Sequence, residues 1–378
     1  MSDASKIWLS SPHMGGNEQK FINAAFDTNW IAPLGPNVNG FEDDIKTYLK
    51  TNKHVVALSS GTAAIHLALV QLGVGRDDEV ICQSFTFCGS INPIIYQGAT
   101  PILVDSEPTT WNICPQALED AIKDRISKGK KPKAIIAVHL YGMPYQVDEV
   151  HKIATRYEIP IVEDAAESLG STYKSQNCGT FGEFAALSFN GNKIITTSGG
   201  GALVCKDQES KNKTVFYATQ ARDDEPHYEH THIGYNYRMS NIVAGIGRGQ
   251  MQILDKHLNL RRQMHAFYQD IFNDNKGIKV FTEPDKNFYS NHWLSAITVS
   301  KNADFTREDL RLFLLEDNIE SRPLWKPMHL QPIFKDCEFY GGNVAEDLFV
   351  RGLCLPSGSN LTEDEKNRIE IKIKTFLK

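Results

Sequence analysis

The sequence predicts an α/β protein in which helices cover both faces of a mainly parallel β-sheet. From about residue 54, short apolar runs typical of strands alternate with helical patterns such as TAAIHLALVQLG and PQALEDAIKDRI. The apolar runs are HVVALSS, EVICQSF, TPILVD, AIIAVHLYG and IPIVEDAAE. Strands that alternate with helices indicate parallel pairing, because each parallel connection needs a crossover.

One antiparallel pair is expected near the end of this sheet. FAALSFNG and GGGALVC both have the pattern of strands, and only a short segment joins them, as in an antiparallel pair. Lys193 lies in that segment among asparagines, threonines and a serine, with no acidic residue nearby along the chain. A surface lysine normally lies among other charges, so this setting indicates a role other than a salt bridge.

The C-terminal part predicts a smaller α+β domain. From about residue 237, YRMSNIVAGIGRGQMQILDKHLNLRRQMHAFYQDIF has the periodicity of one long helix that bridges the sheet to the C-terminal part. The remainder, with HWLSAITVS, TREDLRLFLLEDNI and TEDEKNRIEIKIKTFL, has the pattern of strands with outer helices. We therefore predict a large domain over 1–250 and a small domain over 251–378, packed together because no Pro/Ser-rich linker separates them.

Composition argues against several classes of protein. The net charge of −6, with acids and bases interspersed, argues against a nucleic-acid binder and against a membrane-surface protein. No window approaches the roughly 18 consecutive apolar residues that span a bilayer, and the N-terminal residues lack a signal pattern, so we expect a cytoplasmic protein. The 7 cysteines are scattered, as buried thiols in a reducing compartment are. No metal site is predicted, since EPHYEHTH suits a polar loop equally well.

A candidate phosphate site lies directly after the first predicted strand. Ser60, Gly61 and Thr62 lie at the turn into a helix N-terminus, where small residues let backbone N–H groups approach an anion. The same residues also suit a plain helix cap.

Three further side chains are expected near strand ends, where open α/β sheets bind their ligands. Asp164 ends a very apolar run, where a carboxylate is unfavourable unless it is paired; the alternative is a helix cap. Lys193 is the second, with a solvated loop lysine as the alternative. Phe87, in SFTF, is the third, and its ring can stack on a flat ligand or fill the core.

Together these four features describe the needs of one cofactor, pyridoxal 5′-phosphate (PLP). An aspartate keeps the pyridine nitrogen protonated so that the ring acts as an electron sink, and a lysine forms a Schiff base with the aldehyde. The combination is more specific than any of its parts.

The ordered motifs resemble those of the sugar-nucleotide aminotransferases within the fold-type I PLP enzymes, over nearly the whole chain. They are NWIAPLGPNVNGFE, SSGTAAIHLAL, SFTFCGSINPI, HLYGMP, VEDAAESLG, SFNGNKIITTSGGG, GYNYRMSNI and RPLWKPMHLQPIF. Within this family the chain looks most like enzymes that aminate C4 of a UDP-linked 4-keto-6-deoxy-N-acetylhexosamine for bacterial glycans and exopolysaccharides. The resemblance implies glutamate as the amino donor.

The resemblance also implies roles for individual residues on the cofactor side. Lys193 would be the Schiff-base lysine and would shuttle protons, and Asp164 would hold the pyridinium nitrogen. Glu167 would lie near the phenolic oxygen of the ring, and Phe87 would stack on it. The residues that would bind the phosphate are Gly61, Thr62 and Ser188 of the same chain and Asn236 of the neighbouring subunit, which implies a homodimer with shared active sites.

On the substrate side, the residues that match segments lining the sugar-nucleotide pocket of the family are Trp30, Ile31, Pro33, Arg322 and His329. Arginine and histidine suit a diphosphate by charge and geometry, while a surface arginine and a loop histidine are the alternatives. The chain departs from the family in one place: Gly-Glu-Gly-Gly after the lysine is replaced by the segment 198–201, Ser-Gly-Gly-Gly. No role of that glutamate is therefore carried over.

Several alternatives remain open at this point. The same fold and cofactor serve amination at C3, dTDP-linked sugars, amino-acid aminotransferases and lyases. Deoxysugar dehydratases resemble this family but carry histidine in place of the Schiff-base lysine, so Lys193 argues against them. A regulator with a fused DNA-binding module is disfavoured because only 28 residues precede the first motif.

Overall fold

The computed structural model describes residues 5–378 of the chain. Its strands are β1 (His54–Leu58), β2 (Glu79–Gln83), β3 (Thr100–Val104), β4 (Ala134–Val138), β5 (Ile161–Asp164), β6 (Thr172–Tyr173), β7 (Gln176–Asn177), β8 (Phe184–Ser188), β9 (Gly201–Cys205), β10 (Ile278–Val280), β11 (Phe288–Tyr289), β12 (Ser295–Val299), β13 (Arg322–Pro323), β14 (Phe339–Tyr340) and β15 (Gly352–Leu355). Its α-helices are α1 (Glu18–Asp27), α2 (Pro36–Tyr48), α3 (Gly61–Gln71), α4 (Asn92–Tyr96), α5 (Pro115–Ser127), α6 (Val147–Tyr157), α7 (Gln208–Ala218), α8 (Asn241–Met251), α9 (Leu254–Phe272), α10 (Arg307–Glu316), α11 (Val344–Arg351) and α12 (Glu363–Phe376).

The largest sheet has eight strands in the order β1-β9-β8-β5-β4-β2-β3-β14. The pairs from β8 to β14 are parallel, whereas β9 runs antiparallel to both β8 and β1. The interior strands are almost entirely buried, as in β4, where every residue is buried, because helices cover both faces. The predicted mainly parallel α/β fold and its antiparallel connection at Lys193 are confirmed.

A second sheet of four strands, in the order β10-β12-β15-β13, is antiparallel. It shares an apolar core with α9, α10 and α12, as expected for a smaller α+β unit. Two segments pair with the sheet of the other part of the chain. The C-terminal strand β14 pairs with β3 at the edge of the large sheet, and the N-terminal residue Ile7 pairs with Ile319 near the small sheet. The domain boundary at residue 250 stays a prediction.

The prediction of a single long helix from residue 237 is wrong. The chain forms two helices, α8 and α9, because Ile253 between them leaves helical backbone angles, with φ −117° and ψ 5°. Its side chain packs against Gly15, where even a Cβ atom would lie 2.6 Å from Ile253 Cδ1. A break of this length leaves the apolar periodicity almost unchanged, so the pattern does not reveal it.

Among residues 5–378, no helix is both long and apolar enough to cross a membrane. All seven cysteines are free thiols: Cys82, Cys178, Cys205 and Cys354 are buried, and Cys88, Cys114 and Cys337 are partly buried. The expectation that the thiols are buried therefore holds fully for four of them.

Candidate active site

A cavity of about 600 Å³ opens at the edge of the large sheet where β1, β2, β5 and β8 end. The carboxyl ends of these strands meet at one edge, because they all run in the same direction. The cavity brings together eight of the residues that the sequence singles out: Gly61, Thr62, Phe87, Asp164, Glu167, Ser188, Lys193 and Arg322. The small sheet and its connections complete the wall with Trp293, Leu294, Pro323, Trp325 and Cys354.

The turn after β1 is both a helix cap and an anion cradle. Ser60 caps α3, because its Oγ accepts a hydrogen bond of 3.0 Å from the backbone N–H of Ala63. The other N–H groups of the first turn have no partner within the helix and lie at the positive end of its dipole. A Cβ atom at Gly61 would lie 3.2 Å from Leu187 O and from Ser188 Cβ, so glycine lets the turn approach β8 closely.

Two glycines of the triple glycine after Lys193 also allow a close approach of the backbone to its neighbours. A Cβ atom at Gly201 would lie 2.2 Å from the carbonyl carbon of Ser60, and one at Gly200 would lie 2.2 Å from Thr197 Oγ1. β9 therefore passes directly beside the cradle only because Gly201 carries no side chain. Gly199 and Gly200 form part of the cavity wall.

Asp164 lies at the end of β5 and is 6% exposed. Its Oδ2 accepts a 2.6 Å hydrogen bond from Ser90 Oγ, and its Oδ1 accepts one of 3.1 Å from the N–H of Ala166. Ser90 in turn lies 2.7 Å from Thr86 Oγ1. The expected pairing of Asp164 is thus made by hydrogen-bond donors, and the alternative of a helix cap is wrong because no helix begins there.

Lys193 does form a salt bridge, contrary to the expectation from its neighbours along the chain. Its Nζ lies 3.3 Å from Glu167 Oε1, and the other oxygen of Glu167 accepts a 2.7 Å hydrogen bond from the N–H of Tyr141. Burial raises the pKa of the Glu167 carboxyl to about 7, although the charge of Lys193 opposes this rise. The fold, not the local sequence, brings the two groups together.

An aromatic wall lines the same cavity. Lys193 Nζ lies 4.1 Å from the ring centroid of Trp293, within cation–π range. Phe87 is 56% exposed at the cavity wall and contacts Trp325, with ring centroids 5.6 Å apart. The alternative that Phe87 fills the core is therefore wrong, and its face is free to stack on a flat ligand.

Three of the predicted substrate residues lie away from this cavity. Trp30, Ile31 and Pro33 are exposed on the loop before α2. Asn241, at the start of α8, holds this loop by hydrogen bonds to the carbonyls of Trp30 and Ala32. The side chains of the three residues contribute nothing to the wall of the cavity within one subunit.

His329 also lies outside the cavity wall. Its Nδ1 is 2.6 Å from Ser84 Oγ and its Nε2 is 3.1 Å from Glu346 Oε1. The ring also stacks on Phe339 with centroids 3.9 Å apart. The histidine is thus a mostly buried side chain that links the end of β2 to α11, rather than a solvated loop residue.

Asn236 is exposed and forms a backbone bridge with Thr219. The alternative that it caps its own helix is wrong, because Ser240 is the cap of α8 and accepts a hydrogen bond from the N–H of Val243. Asn236 does not reach the cavity of its own chain.

Sequence reasoning missed Ser90, Tyr141 and Trp293. Ser90 lies within the SFTFCGSINPI motif, and Tyr141 lies within HLYGMP, so the motifs could have indicated both. Nothing in the local sequence marks Trp293 as a cavity residue, since it lies 100 residues after Lys193 (293 − 193).

The residues of the cavity fit PLP. The α3 N-terminus and the Ser188 hydroxyl form an anion site at one end, where added Cβ atoms would fill the cradle. Asp164 is a buried carboxylate that suits a protonated ring nitrogen, and the Lys193 amine is available for the aldehyde. Phe87 provides the stacking face. Among residues 5–378, no group of three or more His, Cys, Asp or Glu side chains is arranged to hold a metal ion.

Comparisons with known proteins agree with this fit. The model of the DegT/DnrJ/EryC1/StrS aminotransferase family matches residues 12–374. EpsN of Bacillus subtilis, provisionally named a pyridoxal phosphate-dependent aminotransferase, is 49% identical over 376 residues, covering 98% of this chain and 96% of that protein. GDP-perosamine synthase of Caulobacter vibrioides is 36% identical over 371 residues, covering 98% of both. The PLP form of Spr1654 from Streptococcus pneumoniae, provisionally named a sugar aminotransferase, is 26% identical with a TM-score of 0.89, covering 98% of both chains.

These matches extend over nearly the whole chain and include every cavity residue that the sequence singled out. They confirm the family resemblance carried by the motifs, and with it the PLP dependence and the aminotransferase class. The chain belongs to the DegT/DnrJ/EryC1/StrS family of PLP-dependent sugar aminotransferases.

Proposed function

We propose that the protein transfers the amino group of glutamate to C4 of a UDP-linked 4-keto-6-deoxy-N-acetylhexosamine, for bacterial glycan or exopolysaccharide synthesis. The observation that carries the catalytic part is the convergence of Lys193, Asp164 and the α3 N-terminus on one cavity. The choice of sugar rests on the motif SFNGNKIITTSGGG.

In this proposal each side chain has one task. Lys193 Nζ would hold the cofactor aldehyde and would accept the proton that the substrate carbon loses and return it in the second half-reaction. Asp164, which accepts a hydrogen bond from Ser90, would keep the ring nitrogen protonated. Glu167, which pairs with the Lys193 amine, would lie near the phenolic oxygen of the ring. PLP supplies an electron sink for the carbon that loses its proton.

The phosphate of the cofactor binds to N–H groups at the start of α3. Gly61 and Thr62 supply the turn, and the Ser188 hydroxyl donates from the end of β8. Phe87 covers one face of the ring. A phosphate at a helix N-terminus is stabilised by free N–H donors and by the helix dipole together.

The diphosphate of the sugar nucleotide is proposed to bind at Arg322. This residue lies on the boundary of the cavity and also lines a neighbouring hollow of about 590 Å³, whose charged lining residues are Lys6, Arg307 and Arg311 together with Glu308 and Glu320. Arg322 is paired with Glu320 at 2.6 Å, with 67% of its side chain exposed, so a phosphate would compete with this carboxylate for an accessible guanidinium. A planar guanidinium suits phosphate oxygens.

The enzyme is proposed to act as a homodimer with shared sites. Phe26, Trp30, Ile31 and Leu34 are large apolar side chains exposed between the end of α1 and the start of α2, and a second copy would cover them. The segment with Trp30, Ile31 and Pro33, together with His329, would then border the sugar-nucleotide pocket. Asn236, which does not reach its own cavity, would contact the phosphate in the partner's site.

A GDP-linked sugar is the second candidate substrate. The specific observation in its favour is the 36% identity to GDP-perosamine synthase over nearly the whole chain. A panel of UDP-, GDP- and dTDP-linked keto sugars incubated with glutamate discriminates the candidates, with NMR of the product to locate the new amine. Turnover of only a GDP-linked sugar would refute the UDP assignment.

We place the activity in the cytoplasm, where free thiols persist.

The proposed role of Lys193 is tested by reducing the PLP-loaded protein with borohydride and mapping the labelled peptide. We expect the label on Lys193, and Lys193→Ala to lose both the label and turnover. Lys53 is a suitable control, because it is also a partly buried lysine, and burial lowers its pKa. Lys53→Ala should keep label and turnover; a label on Lys53 or any other lysine would refute the assignment.

A further inference from the structure

We infer that Arg261, on α9, is a positioning residue that holds the backbone of Lys193 in place. Arg261 does not line the cavity, so it acts on the reaction through the residues that it holds. The inference rests on the proposed role of Lys193 as the lysine that binds the cofactor.

The guanidinium of Arg261 is almost fully buried, with 1% of the residue exposed. Nη1 donates to the carbonyl oxygens of Trp293 at 2.6 Å and Ser357 at 3.2 Å. Nη2 donates to Ser10 Oγ at 3.0 Å and to the carbonyl oxygen of Lys193 at 3.4 Å. In the described part of the chain Arg261 forms no ion pair, and its Nε has no partner.

A buried cation without a carboxylate is unfavourable for folding. Removing a charged group from water without an opposite charge destabilises it strongly, and burial lowers the pKa of Arg261 to about 9. The group still carries its charge at neutral pH. Packing alone does not require this arrangement, because an apolar side chain of similar volume fills buried space without the desolvation penalty.

The acceptors of Arg261 lie around the segment 192–194, which carries Lys193. The carbonyl oxygen of Asn192 accepts hydrogen bonds from Trp293 Nε1 at 2.7 Å and from Ser10 Oγ at 2.8 Å. Arg261 therefore holds Lys193 directly and also binds both residues that hold Asn192.

The third carbonyl of this segment is held from the same helix. His257 Nδ1 lies 3.1 Å from the carbonyl oxygen of Ile194, so this nitrogen carries the hydrogen. His257 and Arg261 are four residues apart on α9, which places them on one face. Three successive carbonyls thus accept hydrogen bonds from side chains outside the turn.

This arrangement determines where the amine of Lys193 can lie. With its backbone held, Nζ lies 3.3 Å from Glu167 Oε1 and 4.1 Å from the Trp293 ring centroid. Trp293 is itself held by Arg261. Loss of the guanidinium removes the hydrogen bonds to the carbonyls of Lys193 and Trp293 and leaves the segment held through Asn192 and Ile194. A displacement of about 1 Å at a reacting group slows a reaction by up to roughly 100-fold.

The test compares two ligands of the same cavity. Pyridoxamine 5′-phosphate binds the cradle but cannot link to Lys193, so its Kd reports the cavity alone. The rate at which PLP is captured covalently, trapped with borohydride and mapped to Lys193, reports the position of the amine. For Arg261→Met we expect capture to be slower by roughly 10- to 100-fold and the Kd for pyridoxamine 5′-phosphate to change by no more than about twofold.

Arg262→Met is the matched control, because Arg262 is the next residue of α9 and its guanidinium pairs with Glu283 at 2.7 Å and donates to the carbonyl of Ser290 instead of the carbonyl of Lys193. It should leave both quantities unchanged. Arg261→Lys keeps a cation with fewer donors and should give an intermediate capture rate; this variant decides the question if Arg261→Met does not fold, as judged by thermal unfolding.

Two outcomes overturn the inference: capture at the wild-type rate, or a loss of capture matched by an equal loss of affinity for pyridoxamine 5′-phosphate. The second would show a purely structural role. A wild-type label that maps to a lysine other than Lys193 would instead refute the proposed function, so the two failures are distinguishable.

Discussion

Glu167→Gln should change how the stability of the cofactor-free protein depends on pH. The Glu167 carboxyl is buried, and its pKa is raised from 4.5 to about 7. The folded state therefore keeps a proton that the unfolded state releases, and stability falls as pH rises from 4.5 to 7. Below pH 4.5 the Glu167 carboxyl does not destabilise the folded state, and above pH 7 its full destabilisation of the folded state is reached.

The size of the penalty follows from the shift. A difference of 2.5 units (7 − 4.5), at about 1.4 kcal/mol per unit, corresponds to about 3 to 4 kcal/mol. Glutamine has nearly the same shape and keeps an oxygen that can accept from the Tyr141 N–H, but it does not titrate. The attraction to Lys193 is already part of this shift, because the charge of the lysine lowers the pKa of Glu167.

The assay is urea unfolding of the wild type and the variant at several pH values from 5 to 8. We expect the free energy of unfolding of the wild type, relative to Glu167→Gln, to fall by about 2 to 3 kcal/mol across this range, because part of the penalty is already present at pH 5. Glu209→Gln is the control, because Glu209 is an exposed carboxylate whose side chain is 76% exposed. A difference between wild type and Glu167→Gln that is independent of pH would refute the reasoning.

Three further predictions concern the cofactor and the dimer. Asp164→Asn should reduce turnover far more than thermal stability, because its proposed partner is the ring nitrogen; near-normal turnover would contradict this. Ser90→Ala removes a buried hydrogen bond to a carboxylate, worth about 1.5–3 kcal/mol, and should weaken PLP binding measurably in a titration, whereas Ser127→Ala, at an exposed helix end, should not. Mixing an inactive Lys193→Ala chain with an inactive Asn236→Asp chain should restore activity on subunit exchange, since one site of the heterodimer then carries neither defect. No recovery would mean that each site is built from a single chain.

Much of the cofactor side could be predicted because it depends on local sequence. Gly61, Asp164 and Lys193 each come after a recognisable strand, and the carboxyl ends of parallel strands meet at one edge of the sheet. The substrate side was less accessible. Trp30 and His329 belong to motifs that the resemblance uses, yet neither lines the cavity, because the order of motifs along a chain carries no information on which side chains meet after folding.

The sequence by itself determined the α/β class, the antiparallel connection that carries Lys193 and the chemical set that fits PLP, because strand periodicity, glycine and chemically distinctive side chains act locally. Only the tertiary structure decided what surrounds the lysine. The pairing with Glu167, the Trp293 ring, the Ser90 hydrogen bond to Asp164 and the hydrogen bond from Arg261 to the Lys193 carbonyl all join residues far apart along the chain. Such contacts depend on how helices and sheets pack against each other, and no local pattern of residues encodes that packing.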